Sequence, residues 1–594
     1  MFKKSIVIAV ILLMAVGGNL NAQVNHRYPR LGIHQWSGAV DEWYAQFDLI
    51  STAIVDVEWA KRIKRLNPDV VIVPTSDWNA GTYINPFPEE WYIRHADGSK
   101  IEYGGPGSYY ANLSDICPPS AMYGGKRVCD YLPEMLMQRI DLTVFDGVAT
   151  DGLYYQDAEL WQYHVVSDNL EWDTDLDGNG VNDFNEHGEE WVVNHWNAGV
   201  DILFTKLRQL MAPEKLLMVN SGSWHYHHHD ETNGNFLEHA NGGLTWSWSK
   251  KIYDQFMQTL REPHTIFFDY ESDSKNDFRM MRFHLTTTLY GDGYFSFSDP
   301  GSYEHYYNKF YDEFLVDLGY SKGPGQEIGS TGVWVRFFDN GASVVNVSGS
   351  PQVVNNADLQ TIAGCDGPYY RFQGGQAPDH NNGEIFDNIT LWGGTDNLGD
   401  IGDGYVLVKS PKTIIYSIII DNVDMGSSPG TAEPEFIGNW TQYPDPIDGN
   451  PYYTMRVASW FDMYAYAFTS PGNGEAKAIF RPTIGHAGYY EVFEWHCWHE
   501  AAVNDEATNV PYLIKHHDGQ SNGTVDQTKN HGRWNSLGTY FFNTGTSGYV
   551  ELTNSANGVV IADAIKFEFI GDNPNADTTP PDPPQGVEVK KVGK

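Results

Sequence analysis

From residue 30 to about residue 320, short apolar runs alternate with segments of helical periodicity. The run "RLGIHQW" is followed by the helical segment "DEWYAQF", and the β-branched run "LISTAIVDV" is followed by "EWAKRIKRLNP", which ends at a proline. Six further strand-like runs follow: "DVVIVPTSDW", "FDGVAT", "KLLMVNSGSW", "GNFLEHANGG", "HTIFFDYESD" and "GYFSFSD". Eight strands with intervening helices predict a (β/α)8 TIM barrel over residues 23–321. The alternative, a doubly wound open sheet, is disfavoured because the sequence has no phosphate-binding glycine fingerprint.

The pattern changes after about residue 322, where alternating apolar and polar positions flank tight turns. "GVWVRFFDNGASVVNVSG" has hairpin turn residues at its centre, so we predict a small all-β sandwich domain over residues 322–427. A linker at 428–434 precedes further short strands, which predict a second β-sandwich over residues 435–571. The proline-rich residues 572–594 indicate a linker or the truncated start of a fibronectin type III module. The predicted fold class is therefore α/β: a (β/α)8 TIM barrel followed by a small all-β domain and a C-terminal β-sandwich.

Residues 1–22 have the pattern of a secretory signal peptide. Two lysines precede an apolar stretch of about a dozen residues, and the segment ends in small and polar residues at Ala22. The apolar stretch is short for a membrane span. We therefore expect an exported protein that works in the periplasm, outside the cell or at the cell surface.

The net charge of −39, from 77 acidic and 38 basic residues, narrows the expected partners. A field of this sign repels nucleic acid and anionic membrane surfaces, and it favours Ca²⁺, which takes oxygen ligands. Aromatic residues make up 14% of the chain, which fits rings that stack on sugars and equally an aromatic-rich core. Cys117 and Cys129 can bridge a loop in an oxidising compartment or remain buried free thiols, and the sequence leaves both open.

Acidic, amide and aromatic residues recur where the predicted barrel strands end. In a barrel of this type the working residues lie at the carboxyl ends of the strands. Asp151 stands at the end of the fourth strand and Glu238 at the end of the sixth, on one side of the ring. The residues that we expect to bind substrate are His34, Trp36, Asp77, Trp78, Tyr154, Asn220, Trp224, His225, Asp269, Glu271 and Asp299.

Paired carboxylates among aromatic side chains are what glycoside hydrolysis requires. One acid protonates the leaving oxygen, and a second carboxylate stabilises or attacks the anomeric centre. We assign Asp151 as the nucleophile and Glu238 as the general acid/base, with Asp269 and Glu271 in reserve. The alternative for either assigned residue is binding to sugar hydroxyls or an ion pair with an arginine.

The segment "DTDLDGNGVND" has the D-x-D-x-D-G spacing of a calcium loop when it is counted from its first aspartate. The predicted ligands are Asp173, Asp175, Asp177, Asn179 and Asp183. In this register the twelfth position is Phe184, so Asp183 or Glu186 would have to replace the usual bidentate glutamate. We expect a structural Ca²⁺ here, with a solvated acidic turn as the alternative. The contiguous histidines of "WHYHHHD" lack the spacing of a transition-metal site.

Residues 30–425 resemble a largely uncharacterised family of bacterial glycosyl hydrolases, distantly related to the α-galactosidase-like clan of barrels. The motifs that carry this resemblance are "FDGVATDGLYYQD", "DTDLDGNGVNDFNEHG", "VNSG", "NGNFLEH", "WVRFFDNGASVVNVSG", "YYRFQGGQAPDHNNG" and "GDGYVLVKSP". In that clan the nucleophile is an aspartate that ends strand four and the acid/base is a carboxylate that ends strand six. The resemblance thus implies retaining action by Asp151 and Glu238, although many relatives have aspartate at the second position.

Residues 435–571 resemble the golvesin and xanthan-lyase type of sandwich domain, through "HGRWNSLGTYFFNTGTSGYVELTN" and "VIADAIKFEF". The resemblance implies an accessory module that binds carbohydrate or serves as a spacer. Our leading hypothesis is an exported glycoside hydrolase that acts on a poly- or oligosaccharide. The alternatives are a non-catalytic glycan-binding cell-surface protein and a polysaccharide lyase, which would need a Tyr, His or Lys base.

Overall fold

The computed structural model describes residues 26–35, 40–77, 87–102, 109–151, 173–220, 230–238, 245–272, 274–298, 309–394, 401–422, 427–442, 466–499 and 505–572. The predicted signal peptide and the tail from residue 573 lie outside these ranges. The chain divides into two compact units: the first extends to Ile414, and the second begins at Ile415 and also includes Gly374–Pro378. Within the described ranges, no helix has the length and apolar character needed to cross a membrane.

The first unit contains a barrel of eight parallel strands that follow one another in chain order. They are β1 Gly32–Gln35, β2 Leu49–Thr52, β3 Val71–Asp77, β4 Gly147–Asp151, β5 Leu216–Asn220, β6 Gly234–Leu237, β7 Thr265–Glu271 and β8 Tyr294–Ser298. The first and last strands meet through a parallel bridge between Leu31 and Phe295, where the Phe295 N–H donates to the Arg30 carbonyl at 2.9 Å. The predicted TIM barrel is confirmed.

Helices lie between most of the barrel strands. They are α1 Asp41–Tyr44, α2 Val57–Leu66, α3 Val128–Arg139, α4 Asp183–Glu186, α5 Glu189–Leu210, α6 Trp246–Thr259 and α7 Phe278–Thr288. Short 3-10 helices occur at Glu89–Trp91, Ala121–Tyr123 and Asp312–Leu315. The apolar periodicity of the sequence predicts most of the long helices. Helix α7 is an exception in its burial, because all of residues 281–288 are buried.

Helix α5 illustrates this periodicity, because buried side chains recur at every third or fourth position: Val192, Trp196, Val200, Leu203 and Leu207. Helix α2 begins at a side-chain cap, since the Asp56 carboxylate accepts the N–H groups of Glu58 at 2.7 Å and Trp59 at 3.1 Å. These local signals fix the helices that pack on the outside of the barrel.

The described residues that follow β8, 309–319, differ from the helical connections earlier in the barrel. They form only the short 3-10 helix at Asp312–Leu315. The five consecutive residues 310–314 are all buried.

A small all-β region follows the barrel in the same unit. Its strands are β9 Gln326–Glu327, β10 Val333–Phe337, β11 Gly341–Asn346, β12 Gln352–Val354, β13 Tyr370–Arg371, β14 Ile389–Leu391 and β15 Asp403–Val408, with helix α8 at Asn356–Leu359. An antiparallel sheet has the order β13-β15-β11-β10-β9, and β12 pairs with β14. The predicted hairpin joins β10 to β11, where Phe337 pairs with Ala342.

The second unit consists of antiparallel sheets. Its strands are β16 Ile418–Asp421, β17 Glu435–Ile437, β18 Thr441–Gln442, β19 Ala467–Thr469, β20 Lys477–Phe480, β21 Gly488–Trp495, β22 Val510–His516, β23 Gly519–Val525, β24 Asn535–Phe542, β25 Tyr549–Thr553, β26 Val560–Ala562 and β27 Ala564–Gly571. One sheet has the order β16-β27-β21-β24, a second β17-β20-β25-β22-β23, and a third β18-β19-β26. Side chains from the first two sheets share one core, among them Val492, Phe567, Ile514 and Leu552, which makes this unit a β-sandwich.

The boundary between the two β regions differs from the predicted one at residue 427. Strand β16 pairs antiparallel with β27, with Ile418 opposite Phe567 and Asp421 opposite Ala564. The predicted linker at 428–434 is also tied to β16, because the Ser428 N–H donates to the Ile419 carbonyl at 2.8 Å. The C-terminal unit therefore begins before the predicted linker.

All four cysteines lie in described ranges and are free thiols. Burial raises the pKa of Cys117 and of Cys129 to about 12. The buried-thiol interpretation of these two residues therefore fits the structure.

Candidate active site

The polar residues at the strand ends continue the inward face of the barrel. The barrel interior is filled by apolar side chains: Leu49, Val71, Val73, Ala149, Leu216, Met218, Phe236, Phe267 and Tyr294. Side chains alternate along a strand, so residues an even number of positions further on face the same way. Those residues are Ser51, Thr75, Asp151, Asn220, Glu238, Asp269, Glu271, Ser296 and Ser298. The register thus puts a polar layer on the apolar core at the carboxyl end of the barrel.

Asn220 joins the two carboxylates that the sequence singles out. Its Nδ2 donates to Asp151 Oδ1 at 3.1 Å and to Glu238 Oε2 at 2.5 Å. Asn220 is buried, whereas Asp151 and Glu238 are partly exposed. Asp151 and Asn220 are also direct partners in the ladder between β4 and β5. The structure therefore brings Asp151, Asn220 and Glu238 together at one point of the barrel opening.

The separation of the two carboxylates follows from these contacts. Because both oxygens contact the same nitrogen, they are no farther apart than the sum of the two distances, about 5.6 Å. The donor between them is a neutral amide, which adds no positive charge to the pair.

Asp269 and Glu271 occupy the neighbouring strand β7. Leu237 pairs with Phe268 in the ladder, so Glu238 and Asp269 are the next residues along the two strands. Asp269 is 1% exposed and accepts the Ser298 hydroxyl at 3.2 Å, and Glu271 is 6% exposed and lies opposite Ser298. Both acids belong to the polar layer but are more deeply buried than the Asp151 and Glu238 pair.

His34 lies in a row of polar side chains on the first three strands. Its Nδ1 is 2.7 Å from Ser51 Oγ, which is 2.5 Å from Thr75 Oγ1, and all three residues are buried. The His34 ring also packs at 5.4 Å from that of Phe236. Sequence analysis missed Ser51 and Thr75, although their inward parity in β2 and β3 is a signal that could have found them.

The remaining predicted substrate-binding residues are only partly described. Asp77 ends β3 and pairs in register with Asp151, and its side chain lies outside the described part of the structure. Five aromatic or imidazole side chains and one acid also fall outside the described residues: Trp36, Trp78, Tyr154, Trp224, His225 and Asp299. The predictions for these residues stay predictions.

The predicted calcium ligands lie in a loop that leads into α4. Asp175 Oδ1 accepts the N–H groups of Gly178 at 2.8 Å and Asn179 at 3.0 Å, and its Oδ2 accepts that of Gly180 at 2.8 Å. Asp177 accepts the Asn179 N–H at 3.0 Å. Three of the five predicted ligands therefore lie in one tight turn, and a fourth lies at the start of α4. They are Asp175, Asp177 and Asn179 in the turn and Asp183 in the helix.

The Asp173 carboxylate contacts a different segment, residues 95 and 96. Its Oδ1 accepts the Ala96 N–H at 3.1 Å, and its Oδ2 is 3.7 Å from His95 Nδ1. Asp183, in contrast, is fully buried, and its Oδ2 accepts the Leu176 N–H at 2.6 Å. Burial, together with the nearby Asp177 and Asp175, raises the pKa of Asp183 to about 6.

A comparison with protein families matches the C-terminal part of the chain. Residues 458–569 match the Golvesin C-terminal domain, which confirms the golvesin-type domain predicted from the sequence. A curated relative, the xanthan lyase of Bacillus sp. (strain GL1), is 36% identical over 181 residues, which are 29% of this chain and 17% of that protein. The chain thus spans less than a fifth of the length of this relative.

Two solved structures are also similar to the chain. The structure of Paenibacillus xanthan lyase matches 46% of this chain and 28% of its own chain at 19% identity, with a TM-score of 0.22. The glycoside hydrolase domain of PelA from Pseudomonas aeruginosa matches 46% of this chain and 96% of its own chain at 11% identity, with a TM-score of 0.29.

Proposed function

We propose that this protein is an exported glycoside hydrolase that cleaves the glycosidic bonds of a poly- or oligosaccharide with retention of configuration. Asp151 is the nucleophile and Glu238 is the general acid/base. The observation that carries the proposal is the Asn220 amide that donates to both carboxylates. Their nearest oxygens are at most about 5.6 Å apart, which fits the short separation of about 5–5.5 Å in retaining enzymes better than the 6.5–9.5 Å of inverting ones.

The reaction proceeds in two displacements. In the first, the Glu238 carboxyl proton passes to the glycosidic oxygen while the Asp151 carboxylate attacks the anomeric carbon, so that a glycosyl ester forms and an alcohol leaves. In the second, the Glu238 carboxylate takes a proton from water, and the water oxygen displaces Asp151 from the anomeric carbon. Both groups return to their starting protonation states.

The surrounding groups support these two roles. The first step requires one proton on the pair, with Glu238 protonated and Asp151 ionised. The Asn220 amide aims both acids at the same point. Asp269 and Glu271 are placed to accept hydrogen bonds from sugar hydroxyls, since both continue the inward face of strand β7.

The C-terminal unit supports a polymeric carbohydrate as the substrate class. It contains the match to the Golvesin C-terminal domain, and the 36% identical relative is named for its action on xanthan. We assign this unit an accessory role in holding the glycan. Export follows from the N-terminal lysines and apolar stretch that precede Ala22.

The test is a comparison of Asp151→Asn and Glu238→Gln with the parent protein on a panel of polysaccharides, with reducing ends measured as the product. We expect each variant to lose about 10³-fold or more in kcat, because a general acid/base alone contributes about 10²–10⁴-fold. The matched control is Glu58→Gln on the outer helix α2, where the side chain is 71% exposed. Its activity should equal that of the parent.

The same panel separates the alternatives. Hydrolysis by Asp151→Asn at the parent rate would remove Asp151 from the mechanism, and a first-formed product of inverted anomeric configuration would contradict the retaining mechanism. Products with new ultraviolet absorbance would identify a lyase. Glycan binding without any new reducing ends would identify a non-catalytic binding protein.

A further inference from the structure

In the acidic loop between β4 and α5, hydrogen bonds join residues 174 and 176 to residue 183. The Asp183 N–H donates to the Thr174 carbonyl at 2.8 Å, and the Leu176 N–H donates to Asp183 Oδ2 at 2.6 Å. Asn112 Nδ2 holds the loop from outside, at 2.7 Å from the Leu176 carbonyl. The two ends of the loop are therefore adjacent.

A twelve-residue calcium register fits this loop when it begins at Asp175. Positions 1, 3, 5, 9 and 12 are then Asp175, Asp177, Asn179, Asp183 and Glu186, and position 7 supplies a backbone carbonyl. The glycine required at position 6 is Gly180, whose φ is +80°. The register that begins at Asp173 instead puts Phe184 at position 12, and the Asp173 carboxylate is held by the Ala96 N–H.

The acidic groups at the far end of this register converge. Asn179 Nδ2 lies 3.2 Å from Asp177 Oδ2 and 3.2 Å from Glu186 Oε2, so positions 3, 5 and 12 meet across the loop. Oxygen atoms of Asp183 and Glu186 and a ring nitrogen of His187 all lie within 4.8 Å of one another. A single cation can therefore reach groups from both halves of the loop.

An independent observation points to a ligand at this place. Asp183 is fully buried, and its Oδ1 has no hydrogen-bond partner among the residues that the structure describes. Burying a carboxylate oxygen without a partner costs several kcal/mol. Its second oxygen is held by the Leu176 N–H, which fixes the carboxylate beside Glu186.

We propose that Asp175–Glu186 is an EF-hand-type loop that binds one Ca²⁺. The ligands are the side chains of Asp175, Asp177, Asn179, Asp183 and Glu186, with the Val181 carbonyl at position 7. For Asn179 the amide oxygen faces the ion, which requires the amide to turn over from its present orientation. The ion compensates the buried Asp183 oxygen and ties the loop to the start of α4. His187 is not a ligand.

The experiment is calorimetric titration of the full chain, cleared of metal with a chelator, with Ca²⁺ as the probe. We expect one site per chain with a dissociation constant between about 10⁻⁵ and 10⁻³ M. Glu186→Gln, at position 12, should weaken binding at least about 10-fold, because this position supplies two of the ligand oxygens. The matched control Asp173→Asn should change the constant by less than about 2-fold, because it lies outside the register.

A third variant, His187→Ala, tests whether His187 is a ligand. Binding unchanged in His187→Ala supports the oxygen-only loop, whereas loss of binding in that variant overturns it. Loss in Asp173→Asn with retention in Glu186→Gln overturns the register. Absence of heat with the parent protein up to about 10 mM Ca²⁺, ten times the weakest constant of this class, overturns the site. Circular dichroism without Ca²⁺ shows whether Glu186→Gln folds as the parent does, and, where it does not, Glu186→Asp replaces it.

Discussion

Strand β4 has an aspartate at each end, and the structure holds the two in different ways. Asp146, directly before the strand, is buried, forms an ion pair with Lys64 at 2.7 Å and accepts the Ile72 N–H at 2.8 Å. Asp151, the last residue of the strand, instead shares the neutral Asn220 amide with a second carboxylate. Asp146 therefore has a cationic partner, whereas Asp151 and Glu238 accept hydrogen bonds from the same neutral donor.

The other strands repeat this contrast. Asp292, just before β8, pairs with Arg336 at 2.5 Å, and Asp48, just before β2, accepts the Leu31 N–H at 2.8 Å. At the carboxyl ends, Asp269 and Glu271 follow one another on a single inward face. Neighbouring like charges cost stability, so two acids on one inward face indicate that the carboxyl end is shaped by its chemistry, whereas the ion pairs of Asp146 and Asp292 stabilise the amino end.

The largest effect that tests this contrast is on stability. Asp146→Ala should lower the free energy of unfolding by about 4 kcal/mol, because it leaves the Lys64 charge and a buried N–H unpaired. Asp151→Ala, on the same strand, should change it by less than about 1 kcal/mol, because relief of repulsion with Glu238 offsets the lost hydrogen bond. Urea unfolding of both variants gives the two values. Equal losses would show that the two ends are not specialised.

A smaller effect concerns the close packing at the amino end. Gly147 begins β4, and a Cβ added there would lie 2.1 Å from the Leu216 carbonyl oxygen, which belongs to backbone and cannot turn away. We expect Gly147→Ala to destabilise the protein by about 2 kcal/mol, since overpacking costs about 1–3 kcal/mol. Gly234→Ala is the matched variant, because its Cβ would lie 2.0 Å from the Thr265 carbonyl oxygen. Stability equal to that of the parent in both variants would show that the strands can separate at this end.

The order of the barrel strands could be predicted because each strand carries its own apolar run, and Asp151 and Glu238 could be selected because they follow those runs. What could not be predicted is how side chains from different strands meet. Asn220 was predicted to bind substrate, yet its amide joins the two acids. The pairing of β16 with β27 also links distant parts of the chain, and the local pattern around Ile418 gives no sign of that partner.

The calcium loop shows a different limit of the sequence. Aspartates at alternate positions allow two registers, one from Asp173 and one from Asp175, and spacing alone does not distinguish their first ligands. The structure separates them by contact, because the Asp173 carboxylate is bound to residue 96 whereas that of Asp175 holds its own loop. Position 12 differs between the registers, since it is Phe184 in the first and Glu186 in the second, but the hydrogen bonding of Asp173 to a neighbouring segment is a tertiary property that the sequence does not show.

The smallest expected effect is the response of the amino end to acid. Burial acts to raise the pKa of Asp292, but the Arg336 guanidinium and the Tyr28 hydroxyl, which donates to it, hold that pKa below its ordinary value. A lowered folded-state pKa means that the Asp292 charge stabilises the fold above about pH 4 and that this contribution is lost as the pH falls through the folded value. The side chain is 37% exposed, so solvent screening keeps the contribution below about 1 kcal/mol.

Asp292→Asn should therefore be slightly less stable than the parent at pH 7 and should converge with it near pH 2, in thermal unfolding followed across that range. A difference in stability that stays constant from pH 7 to pH 2 would show that the charge of Asp292 does not stabilise this end of the barrel.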